Sequence, residues 1–128
     1  MIPPIISEHA ERLREAYPDL RVSEMANANA ILVEVPGVVL PSGWNQDVTT
    51  VRFLVPLAYP AAPPDCFWAD QVLALAGERE PTGSNRTPIP GLSEPLRWFS
   101  WHVQQWNPNS HTVSSFFQVV LDRLRKPV

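Results

Sequence analysis

The chain has 128 residues, 45% of them hydrophobic and 18% charged, with a formal net charge of −3 and one cysteine. That length suits a single domain over residues 1–128 with one core. The composition excludes a disordered chain, and no apolar run approaches the roughly 20 residues of a membrane-spanning helix. The Lys and Arg residues are scattered apart from Arg123, Arg125 and Lys126, which leaves no electrostatic footprint for nucleic acid. Cys66 has no second cysteine with which to form an internal disulfide or a Cys-rich zinc site. The first residues, Met1 to Glu8, carry neither a basic region nor an apolar run of secretory length, so a cytoplasmic protein is expected.

Ser7 is a plausible N-cap for a first helix that buries Ile6, Ala10, Leu13 and Tyr17 and ends before Pro18. Ile31 to Val35 and Val38 to Leu40 are β-branched stretches parted by Pro36 and Gly37, and read as one bent strand or two short ones. Val48 to Val55 continues the pattern, which suggests an antiparallel meander. Pro56, Pro60, Pro63 and Pro64 around Tyr59 force an ordered extended turn, because proline fixes φ and removes backbone donors. Cys66, Phe67, Trp68 and Ala69 suit one more strand. From Gly77 to Leu96, glycines and prolines interrupt any periodicity, so this stretch reads as a long loop, either functional or a tolerated insertion. Ser110 or Thr112 then caps a last helix whose Val113, Phe116, Phe117, Val120, Leu121 and Leu124 recur at helical spacing, with Arg123, Arg125 and Lys126 in or near its last turn.

Three of the five tryptophans, Trp98, Trp101 and Trp106, fall within nine residues, with Ser100 and His102 between them. Packed aromatics can hold a hydroxyl and an imidazole in fixed positions, and each buried indole N–H needs a partner. If the segment is extended, Ser100 and His102 share one face and Trp101 points the other way, into the core. The same cluster also suits a plain core segment, since a serine two residues from a histidine is common by chance. His9 and His111 show no metal-ligand spacing, and His111 reads as a capping-turn residue.

This order of elements, together with Pro56-Leu57-Ala58-Tyr59-Pro60-Ala61-Ala62-Pro63-Pro64 and Trp106-Asn107-Pro108, resembles the ubiquitin-conjugating E2/UBC superfamily. That superfamily carries a P-x-x-Y-P-x-x-P-P turn after its third strand and a W-x-P element beyond its active-site loop. The wording from Pro64 to Asp70 and from Trp98 to His102 is similar to a bacterial branch, the prokaryotic E2 family E. The resemblance implies an α+β, UBC-like fold: an N-terminal helix, a four-stranded antiparallel meander, a long active-site loop and a C-terminal helix. It also implies an operon-encoded pathway of the antiphage defence kind, with an E1-like adenylating enzyme, a ubiquitin-like protein and a dedicated peptidase as partners. No cofactor or metal is implied, and neither nucleic acid nor a membrane.

The chain departs from the superfamily where the chemistry sits. Neither H-P-N nor a cysteine occurs between the fourth strand and Trp106, the interval in which eukaryotic E2 proteins keep their nucleophile. Cys66 falls in the fourth strand itself, where a lone cysteine in an apolar run reads as an inert packed residue. Ser100 occupies the vacant interval, and His102 can serve as the base that a hydroxyl needs, so Ser100 and His102 are the candidate catalytic pair. Asn85 has only its residue type to suggest an oxyanion role. The expected function is an E2-like carrier that takes a ubiquitin-like C-terminus from an E1-like enzyme as an oxyester. The alternative is an inactive E2 variant that binds a ubiquitin-like protein or a partner enzyme. A stand-alone hydrolase ranks last, for want of a G-x-S-x-G context.

Overall fold

The β-branched residues between Ala30 and Pro56 form the two longest strands in a computed structural model that describes residues 1–128. In chain order the elements are α1 (Pro4–Arg14), β1 (Arg21–Met25), a 3₁₀ turn (Ala26–Ala28), β2 (Ala30–Val39), β3 (Val48–Pro56), β4 (Phe67–Ala69), β5 (Ser84–Pro88), β6 (Pro95–Phe99) and α2 (Val113–Leu124). All strand pairs are antiparallel, in the order β1-β2-β3-β4-β6-β5. The α+β class therefore holds, with six strands where the sequence reading expects a meander of four.

Alternation along β2 and β3 sends Ile31, Val33, Val35, Val51, Phe53 and Val55 to one face. There they bury against Ile6, Ala10 and Leu13 of α1 and Phe116, Phe117, Val120 and Leu124 of α2, and the two helices touch each other. Leu32, Trp68 and Leu96 face the other way and form a small second cluster with Ile89, which lies between β5 and β6. The bend at Pro36 and Gly37 is an irregularity within one strand: the β2–β3 register shifts between Val35 and Val38, and Gly37 takes φ +78°.

Two local expectations change. Helix α1 starts three residues before Ser7, because Pro4 at its first position has no N–H to satisfy and a φ already suited to a helix. The stretch from Gly77 to Leu96 is not one loop, since it contains β5 and the start of β6. Strand β5 reads Ser84-Asn85-Arg86-Thr87-Pro88, with neither apolar alternation nor β-branched enrichment. It exists because it pairs with β6 along the sheet edge, where Pro88 is tolerated at its end. The likewise polar β1 escapes the sequence reading for the same reason, as the opposite edge strand. Thr112 caps α2 as expected, in a reciprocal pair with Ser115.

A candidate acyl-transfer site beside the β4–β6 pair

Phe67 of β4 and Phe99 of β6 are register partners whose rings stack at 4.7 Å between centroids. Because the strands are antiparallel, the chain entering β4 and the chain leaving β6 run side by side. Cys66 N–H donates to the Trp101 carbonyl at 2.9 Å, and on the other flank Ser100 N–H donates to the Gly83 carbonyl at 2.9 Å. The segment expected to carry the chemistry is thus pinned from both sides by backbone hydrogen bonds.

This pinning brings three side chains into a row. Ser100 Oγ lies 3.5 Å from His102 Nε2, and His102 Nδ1 lies 2.5 Å from Asp65 Oδ1. A carboxylate can only accept, so Nδ1 donates to Asp65, and in the neutral ring Nε2 then presents its lone pair toward the Ser100 hydroxyl. Contacts of this length between nucleophile and base are common before substrate binds and tighten in the reacting complex. The candidates Ser100 and His102 therefore do meet. Asp65, which the sequence reading did not assign, supplies the group that orients the imidazole. The only signal that could have found it is the β4–β6 register, since Asp65 and His102 are 37 positions apart.

Trp101 does not enter the core, contrary to the alternation argument; it is 39% exposed. The space beneath it holds the buried guanidinium of Arg123, enclosed by the rings of Trp44, Phe99 and Trp101 at 5.1–5.9 Å. Arg123 donates from Nη1 to the Lys126 carbonyl and from Nη2 to the carbonyls of Thr82 and Val128. The tryptophans consequently do not share one packed cluster. Trp98 is half-buried against the second cluster, while Trp106 donates its indole N–H to the Pro60 carbonyl at 2.8 Å and packs on Tyr59 and His111. A groove of about 670 Å³ runs between Ser100, Trp101 and His102 on one wall and His111, Ser115 and Val119 on the other.

Cys66 is not a strand residue. It precedes β4, half-buried, with φ +61°, and its thiol, the Asp65 carboxylate and an imidazole nitrogen of His102 all lie within 4.8 Å of one another. Burial, and behind it the Asp65 carboxylate, pushes the Cys66 thiol up, which disfavours the thiolate that a nucleophile needs. Asn85 lies in β5, where its side-chain oxygen accepts from Arg86 N–H. His111 Nδ1 accepts from Asn107 N–H, as befits a turn residue before α2. His9 Nδ1 meets the Tyr59 hydroxyl at 2.5 Å, and that hydroxyl accepts from Val113 N–H at 2.9 Å.

An antiparallel α+β sheet that buries two helices on one face and opens a hydroxyl–imidazole–carboxylate row at the end of β6 narrows the class of protein considerably. The chain belongs to the prokaryotic E2 family E, whose family model matches residues 8–127, from within α1 to beyond the end of α2. No curated protein and no solved structure matches the sequence. No helix is long and apolar enough to cross a membrane.

Proposed function

We propose that this protein is an E2-like carrier which takes the C-terminus of a ubiquitin-like protein from an E1-like enzyme as an oxyester on Ser100. The observation that carries this reading is the row Ser100–His102–Asp65, with the two imidazole nitrogens facing a hydroxyl and a carboxylate respectively. A serine hydroxyl is a poor nucleophile near neutral pH unless a base takes its proton as it attacks. In the loading step Ser100 Oγ attacks the carbonyl carbon of the E1-bound thioester, and His102 Nε2 takes the hydroxyl proton. The carbon–sulfur bond breaks and the E1 thiol leaves with a proton. Asp65 holds the ring in the productive tautomer and stabilises the imidazolium formed in passing.

In the discharge step an amine or hydroxyl attacks the ester carbonyl, His102 accepts the incoming proton, and Ser100 Oγ departs with a proton from the same ring. Water would compete at so open a site: the side chains of His102 and Asp65 are 56% and 61% exposed. A bound ubiquitin-like protein along the adjoining groove would exclude it. Family membership supports the general setting of a ubiquitin-like protein and an E1-like enzyme, and the contact of His102 Nε2 with Ser100 Oγ supports the hydroxyl as the acceptor.

Incubation with the cognate E1-like enzyme, ubiquitin-like protein and ATP tests this reading. The expected product is a covalent adduct that survives thiol reductant and is cleaved by hydroxylamine or mild base, as an ester is. An adduct cleaved by reductant would move the chemistry to Cys66. If no adduct forms while the ubiquitin-like protein binds wild type and Ser100→Ala alike, the protein is a binding module of E2 type.

A further inference from the structure

Asp65, Cys66 and His102 come from the two segments that β4 and β6 hold side by side, and they offer one oxygen, one sulfur and one nitrogen within 4.8 Å of each other. Around a tetrahedral zinc ion, bonds of about 2.0–2.3 Å place neighbouring ligand atoms roughly 3.3–3.8 Å apart. Asp65 and His102 are both more than half exposed, so small side-chain rotations can close the three atoms onto one ion. A thiolate, an imidazole and a carboxylate together suit zinc, whereas magnesium and calcium call for oxygen ligands. Cys66 also holds a left-handed backbone that residues with a β-carbon rarely adopt, and such outliers gather at functional sites.

We propose that Asp65, Cys66 and His102 form a zinc site that withdraws the base from Ser100. Asp65 faces Nδ1, so the ion enters on that side of the ring and binds Nδ1. The imidazole proton moves from Nδ1 to Nε2, and the Cys66 thiol releases its proton to solvent as the sulfur binds the ion. Nε2–H then donates toward Ser100 Oγ and can no longer accept its proton. Three protein ligands leave the fourth tetrahedral position to water. Binding of the ion follows from the three ligands alone; only its effect on Ser100 rests on the carrier reading.

Titration of the reduced full-length chain with cobalt(II), followed by zinc, tests the site. The expected result is a thiolate-to-cobalt charge-transfer band that saturates at one ion per chain and is displaced by zinc. Cys66→Ala should lose the band, His102→Ala and Asp65→Asn should each weaken cobalt binding at least about 10-fold, and Ser100→Ala should bind as wild type does. Absence of the band, its persistence in Cys66→Ala, or unchanged affinity in both His102→Ala and Asp65→Asn would overturn the site. Saturating zinc should then block adduct formation on wild type and a chelator should restore it, with charging of the E1-like enzyme followed as the control for zinc acting there. If the ion binds and the adduct forms undiminished, the switch is refuted although the site stands. If no adduct forms in chelator, it is the carrier reading that fails, and the effect on Ser100 fails with it, while the spectrum still decides the site.

Discussion

Asp65 and His102, 37 positions apart in the chain, meet through Oδ1 and Nδ1 at 2.5 Å, and this one pair sets which imidazole nitrogen faces Ser100. Replacing the carboxylate by an amide lets the ring take the other tautomer, with its proton on the side of the hydroxyl. Asp65→Asn should slow adduct formation by at least about 100-fold, while Ser100→Ala and His102→Ala abolish it, all three with unchanged melting temperatures. Rates that stay within a few-fold of wild type in Asp65→Asn would remove the carboxylate from the mechanism. Ser100→Cys should give an adduct that thiol reductant now cleaves.

Tyr59 links three parts of the fold through one hydroxyl: the proline-rich turn that contains it, His9 of α1 and the Val113 N–H at the start of α2. Tyr59→Phe leaves that N–H without its acceptor in a buried setting, and should cost about 1–3 kcal/mol in denaturant unfolding. An unchanged unfolding midpoint would show that the N–H finds another partner.

The burial of His9 beside this link makes stability depend on pH. Burial, with Arg12 adding to it and Glu8 opposing it, holds the His9 imidazole below its ordinary value of 6.5. Below 6.5 the unfolded chain therefore binds more protons at this position than the folded one. The contribution is complete above the unfolded value and is lost as the pH falls toward the folded one. Melting temperatures followed across this range should fall less steeply for His9→Gln than for wild type, and equal slopes would discount the imidazole.

Arg97 is almost fully buried in β6, where it donates to the Leu73 carbonyl at 2.8 Å and to Ser84 Oγ at 3.3 Å, and pairs with Glu80. Since Glu80 is largely exposed, it can return to water when its partner is removed. The main loss in Arg97→Ala is then the cavity and the unpaired Leu73 carbonyl, about 2–4 kcal/mol. Arg97→Met fills the space and should recover at least half of that in chemical denaturation. Equal destabilisation by both variants would mean that the hydrogen bonds outweigh the packing.

Trp106 is half-buried, so Trp106→Ala should cost about 2–3 kcal/mol, below the range for a fully buried indole. Trp106→Phe, which keeps the ring against Tyr59 and loses the bond to the Pro60 carbonyl, should fall between the two. A melting temperature unchanged in Trp106→Ala would assign the indole to partner binding instead.

Residues whose local preference and burial agree were legible from the sequence. The β-branched runs of β2 and β3, the heptad-like spacing of Phe116, Phe117, Val120 and Leu124, the Thr112 cap and the proline turn around Tyr59 each state their conformation within a few residues. The approach of Ser100 to His102 was legible too, since residues two apart in sequence are close enough for their side chains to meet. The edge strands β1 and β5 were not, because a polar strand exposed along one side owes its conformation to the neighbour that supplies its hydrogen bonds. Trp101 was misplaced because alternation predicts a direction and not what already fills the space, here the Arg123 guanidinium. Asp65 and the surroundings of Cys66 depend on the stacking of Phe67 on Phe99, a contact between strands whose register no local pattern encodes. The family, the helical and central-strand core and the nearness of Ser100 to His102 can thus be read from the residues alone. Which carboxylate and which thiol stand beside that pair depends on the folded chain, because antiparallel pairing aligns segments by hydrogen bonding across the sheet and not by their distance along the chain.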